Sequence, residues 1–226
     1  MTLTKDQIQE LYKFTRAHYV EYYDVQTELV DHLANGIEAQ WKEYPNLSFE
    51  EAKQKEFKKF GVFGFMDVVT ERQKVMSKKY YGIIFKFFKA YFQLPKIILT
   101  FCVIVLLAIL LQRFHLGHLH YWVSGILLLG VSPMLFSMWM HSKKLKKKKR
   151  KWMLEDMLFN HVGVAQLLVL PIHLFNFEYT ATGIFGFLTI SLFIVVLLLL
   201  VYVITFEIPT KAEKLLEETY PEYKMT

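Results

Sequence analysis

Apolar positions change their pattern near residue 90. Before it they recur every three or four residues, the spacing of helices with one face to bury. Beyond it they join into long stretches without formal charge, the composition of helices solvated by lipid. The clearest stripe in the first region is Val25, Leu29, Leu33 and Ile37, which share one side of a helix at about 100° per residue, with Glu28, Asp31, Asn35 and Glu38 on the other. Thr4 with Gln7 and Ser48 with Glu51 have capping-box spacing, and Asp24 stands where it can cap a second helix running to about Glu43. Pro45 and Gly61 punctuate the region, so the pattern predicts three short helices, the third stopping at Gly61, and a fourth beginning near Phe65. At the far end, Thr210 and Glu213 repeat the capping-box spacing and predict a short helix over 211–219 closed by Pro221.

In the second region four spanning helices are predicted, over about 94–112, 121–140, 157–177 and 183–206. Each is long enough at about 1.5 Å per residue to cross a hydrocarbon core of roughly 30 Å. The first needs residues ahead of its 97–111 apolar run to reach full length. Between the second and third, eight of the nine residues from 143 to 151 are Lys or Arg, whereas the connector 113–120 has one and 178–182 has none. On the positive-inside rule this bias places both termini in the cytoplasm and makes the chain a multi-pass protein of the cell inner membrane. Trp122, Trp139 and Trp152 fall near the proposed interfaces. The expected fold class is all-α: a small N-terminal helical bundle followed by a four-helix transmembrane bundle. The expected division is a head at 1–75, a basic juxtamembrane helix or linker at 76–93, the spans at 94–206 and a cytoplasmic tail at 207–226. The first ninety residues lack the basic-then-apolar pattern of a cleavable leader, so the first span is expected to act as the targeting signal.

Charge refines this picture. Residues 1–71 hold 8 Lys or Arg against 13 Asp or Glu, while 72–96 hold 7 and no acid, so an acidic head precedes a basic collar. The overall charge of +6 comes from the collar and the 143–151 loop, both beside proposed spans, which fits anionic lipid headgroups as the partner and not nucleic acid. Lys143, Lys144, Lys146, Lys147, Lys148, Lys149, Arg150 and Lys151 are the expected headgroup contacts, and they lack the aromatic interleaving that single-stranded nucleic acid would need. The single cysteine, Cys102, lies in an apolar run, so no intrachain disulfide can form and a cysteine-clustered zinc site has nothing to use.

The stretch from Val25 to Leu33 (VQTELVDHL), then Ile37-Glu38, then Ser48 to Ala52 (SFEEA) and Phe60-Gly61, resembles the small helical bacterial domain called HAAS and the related permease prefix domain. The likeness spans about residues 4–75. It implies a cytoplasmic module on a bacterial integral membrane protein, associated with signalling or with regulation of a transporter. The turn reads Phe60-Gly61-Val62-Phe63 and departs from the Asp-Pro that often follows the glycine in those families.

Candidate chemistry is sparse. Glu28, Asp31 and His32 lie within one helical turn, a spacing that suits a metal, a solvated face or a protein-contact face, the last extending over Glu28, Asp31, Asn35 and Glu38. An acidic helix, a basic collar and a basic loop also invite electrostatic docking. His115, His118 and His120 cluster in the connector after the first span, as metal ligands or as interfacial residues. In the third proposed span Gln166, His173 and Asn176, with Asn160 and His161 nearer its start, are polar groups that either pack helices together or line a route. Pro133 and Pro171 can kink their helices, with Ser132 placed to satisfy a freed backbone group. No nucleophile with its base, paired intramembrane carboxylates or phosphate loop is legible, so neither an enzyme nor a cofactor is expected. The expected function is a membrane regulatory or interaction protein whose head binds a protein partner. The competing expectation is a small transporter or channel component.

Overall fold

A computed structural model describes residues 2–114, 119–145, 148, 150–159 and 183–225. Every named element among them is helical, and the fold is all-α. The chain forms two compact units, Met1–Lys79 with Lys148–Asp156, and Tyr80–Lys147 with Met157–Thr226.

The first unit is built on α1 (Lys5–Ala17), α2 (Tyr23–Glu43) and α3 (Phe49–Lys58), and takes in the start of α4 (Met66–Lys89). Thr4 with Gln7 and Ser48 with Glu51 form reciprocal capping boxes at α1 and α3, as their spacing predicts. The apolar stripe of α2 faces inward, with Val25, Leu29, Leu33 and Ile37 all buried. Phe14, Phe57, Phe60 and Phe65 form an edge-to-face ring cluster, Phe65 being 4.8 Å from Phe57 and 4.9 Å from Phe60. His18 packs into it, 4.5 Å from the Phe57 ring, with Nδ1 2.8 Å from the Phe14 carbonyl. Lys53 enters from α3 with its side chain 6% exposed, its ammonium 2.6 Å from both Glu10 and Glu50. Burial opposes charge on Lys53, but those two carboxylates outweigh it and hold its pKa above the ordinary lysine value. Gly36 of α2 leaves room for a side chain of α3: a Cβ there would lie 2.2 Å from Cδ of the buried Glu56, which Gln40 and Lys59 fix at 2.8 and 2.6 Å.

Asp24 does not cap α2. The helix starts two residues earlier than a cap at Asp24 would place it, with Tyr22 at the N-cap and no side-chain cap, because the Tyr23 N–H donates to the Lys151 carbonyl at 2.7 Å. Backbone from the far end of the polybasic loop does the capping.

In the second unit, α5 (Lys96–Phe114), α6 (Leu119–Leu145) and α8 (Gly183–Tyr202) are long and apolar enough to cross a membrane by length and composition; the short α7 (Met153–Phe159), between α6 and α8 in the chain, begins in the first unit. The third proposed span, 157–177, and with it Pro171, lies mostly outside the described residues. Ala108, Leu111, Val123, Leu127, Phe187, Ile190 and Ile194 make the shared core of α5, α6 and α8. Gly130 lets α6 approach α8, since a Cβ there would meet Leu198 Cδ2 at 2.2 Å. Pro133 lacks the N–H that would serve the Leu129 carbonyl, and Ser132 Oγ donates to that carbonyl instead at 2.9 Å. Trp122 and Trp139 are about half exposed, with Lys143 3.6 Å above the Trp139 ring.

The Thr210–Glu213 capping box is not formed. After α8 the helical path continues through a π-turn at Val203–Glu207 and a further turn at Ile208–Thr210, so Thr210 ends a helical segment and its hydroxyl donates back to the Glu207 carbonyl at 2.8 Å. The final helix α9 (Ala212–Thr219) has Lys211 at its N-cap and no side-chain cap.

Two outcomes follow for the first unit. Gly36→Ala gains about 1 kcal/mol of helix propensity but overpacks Glu56 at about 1–3 kcal/mol, so a net loss is expected, read as faster amide exchange across α3. The Glu51 carboxyl is held below its ordinary value by the Ser48 hydroxyl first and the Ser48 backbone N–H second. A carboxylate lowered in the folded state contributes stability above its unfolded pKa and loses it as pH falls through the folded value. First-turn amides of α3 are therefore expected to lose protection, after correction for intrinsic rates, on acidification below about pH 4.

Candidate interaction surface

Lys148 and residues 150–156 form a strap on the head. Trp152, Met153 and Leu154 are 3%, 1% and 0% exposed, and the Trp152 ring meets Tyr23 edge-on at 5.3 Å. Around this apolar contact runs a ring of polar ones. The Tyr22 hydroxyl donates to Asp156 at 2.9 Å, the Met153 N–H donates to the buried Asp24 carboxylate at 3.3 Å, and Lys151 pairs with Glu21 at 2.8 Å. Lys148 pairs with the buried Glu155, and the Arg150 guanidinium lies 4.4 Å above the Tyr23 ring. Burial, and then the neighbouring Asp156 carboxylate, push the Tyr22 hydroxyl above its ordinary pKa, so it stays a donor at neutral pH.

The energies rank these contacts. Burying a Leu or Met side chain contributes about 1.5–3 kcal/mol. The Lys151–Glu21 pair is exposed on both sides and contributes about 0–1 kcal/mol, less in salt. Apolar burial holds the strap, and charge sets its register.

The members of the polybasic run whose side chains are described thus have protein partners: Lys143 lies on Trp139, Lys148 meets Glu155, Arg150 covers Tyr23 and Lys151 pairs with Glu21. Trp152, expected at a membrane interface, is instead buried in the head, because the chain folds back there onto the α1–α2 turn. Lys144 lies in the last turn of α6 with its side chain outside the described residues, and Lys146, Lys147 and Lys149 lie wholly outside them.

The outward face of α2 is only partly open. Glu28 lies 3.8 Å from Arg72 of α4, so the basic collar does meet the acidic helix. Glu38 accepts the Leu3 N–H at 3.0 Å, and His32 sits 3.9 Å from Glu56 with its ring against Phe60. Asp31 and Asn35 are exposed. Among the described residues no group of three or more His, Cys, Asp or Glu is gathered as a metal site. His115 and His118, and likewise Asn160, His161, Gln166, His173 and Asn176, lie outside the described residues; His120 is in the first turn of α6 with its side chain outside them.

Two features escaped the sequence reading. Gly61 and Gly64 have φ of 76° and 54°, and the turn between them presents Val62 and Phe63 at 98% and 73% exposure. A Cβ on Gly64 would crowd the Phe57 ring at 3.1 Å, so the left-handed conformation and the close approach both require glycine. The second feature is the strap. Its signal was present in Glu155 and Asp156, the only two carboxylates between Glu71 and Glu178, set directly behind the basic run.

Trp152→Ala removes the largest strap anchor, a change that costs about 3–5 kcal/mol in a well-packed site. Trypsin is then expected to cut after Arg150 and Lys151 at least tenfold faster in the full-length protein in mild detergent, while raised salt alone has little effect. No protein-family model, characterised protein or solved structure matches this chain.

Proposed function

We propose that this chain is an integral protein of the inner membrane with both termini cytoplasmic, working as a regulatory or interaction protein whose head binds a protein partner. The observation that carries the reading is the Val62–Phe63 tip. Two apolar side chains at 98% and 73% exposure are held out on a turn fixed by two left-handed glycines and backed by a packed aromatic cluster. Covering both contributes about 3–6 kcal/mol before the cost of association, enough for a binding anchor.

The orientation draws on two unrelated constraints. The Lys and Arg excess between α6 and the following apolar segment favours the cytoplasm. The docking of 148–156 on the head calls for that loop and the N-terminal unit to share one side of any membrane that α6 crosses. The HAAS-like positions fit a structural module: Leu29 and Leu33 are buried, Ser48 and Glu51 cap α3, and Gly61 takes a positive φ.

A photo-crosslinking phenylalanine analogue at position 63 of the full-length protein in cells is expected to yield a discrete protein adduct, and the same analogue at exposed Ala39 is expected to yield none. Lipid adducts alone at position 63, or identical adducts from both positions, would contradict the reading.

A further inference from the structure

Beside the α1–α2 turn lies a cleft of about 240 Å³ lined by Arg16, Glu21, Tyr23, Lys148, Arg150 and Lys151, among others. We propose that it binds a phosphate-bearing anion, and that the bound anion holds the strap on the head. This does not rest on the Val62–Phe63 tip.

The charge of the cleft runs against its surroundings. Residues 1–71 carry 13 acids against 8 bases, yet the lining holds four cations and one carboxylate, three of the cations being brought by the strap. Two of the four are matched by carboxylates: Lys151 by Glu21 at 2.8 Å, and Lys148 by Glu155. The guanidiniums of Arg16 and Arg150 form no ion pair among the described residues. The Arg150 guanidinium carbon lies 4.4 Å from the centre of the Tyr23 ring, a cation–π contact that needs none of its N–H donors. Guanidinium groups bind phosphate oxygens through paired, charge-assisted hydrogen bonds, and at about 30 Å³ per water the cleft holds a phosphate ester of a small polyol in place of about eight waters.

One of these two arginines belongs to the head and the other to the strap. Arg16 is in the last turn of α1, and Arg150 precedes the Lys151 carbonyl that caps α2. An anion shared by both binds only when the strap is docked, so at a hundredfold excess over its Kd it lowers the open population about a hundredfold. The same chemistry is available from a soluble phosphate ester or from an anionic phospholipid headgroup.

The test uses the full-length protein in phosphatidylcholine nanodiscs titrated with glycerol phosphate, and in parallel in discs containing phosphatidylglycerol without it. Exchange is read at the amides of Tyr23 and Met153, whose N–H groups bond to the Lys151 carbonyl and to Asp24. The expected result is saturable slowing at both amides in at least one arm, the responding arm naming the source. Arg16→Gln should weaken it about tenfold or more, with exchange in the absence of anion unchanged; Arg150→Gln should weaken it as much and Arg150→Lys less, each read against that variant's own anion-free exchange, and Lys143→Gln not at all. The proposal is overturned if neither arm slows the two amides, if slowing survives both arginine substitutions, or if sodium chloride of equal ionic strength reproduces it.

Discussion

The seating of Trp152, Met153 and Leu154 against the α1–α2 turn is the contact on which the N-terminal unit depends. It joins segments about 130 residues apart in the chain and supplies a backbone cap for the first N–H of α2, a backbone donor to the buried Asp24 carboxylate and a partner for the Tyr22 hydroxyl. A buried carboxylate that loses its donor costs more than the bond itself is worth, so these polar contacts make the seating selective even though apolar burial drives it.

The same contact changes the meaning of the polybasic run. A string of exposed lysines is an electrostatic label for topology and a magnet for anionic lipid. Here its C-terminal part is drawn onto an acidic head, where Lys151 meets Glu21 and Arg150 meets an aromatic face, while Lys148 pairs within the strap with Glu155. An anionic lipid surface would have to draw these cations away from the contacts they already make. The outcome rests on the hydrophobic anchor behind them, because single exposed ion pairs contribute about 0–1 kcal/mol.

What was legible in the sequence was local. The α2 stripe, the Thr4–Gln7 and Ser48–Glu51 boxes and the pairing of Ser132 with the carbonyl freed by Pro133 each depend on residues within a turn or two, and each is present. Asp24 and Thr210 misled because capping spacing cannot see an outside competitor: strap backbone takes the α2 terminus, and the helix after α8 runs on past the expected break. Trp152 misled because a tryptophan beside lysines looks the same at a lipid interface as in a pocket formed by distant sequence. The buried Lys53 gave no signal, since nothing local distinguishes it from the exposed lysines of the same helix.

Long-range seating is also the part most open to a direct check. Tyr22 and Lys151 are bridge partners on neighbouring backbone. Tyr22→Cys with Lys151→Cys in a Cys102→Ser background, oxidised mildly in native membranes, is expected to form an intramolecular disulfide rapidly and nearly completely. Absence of that bond while both thiols remain open to maleimide would show that the strap does not rest on the head.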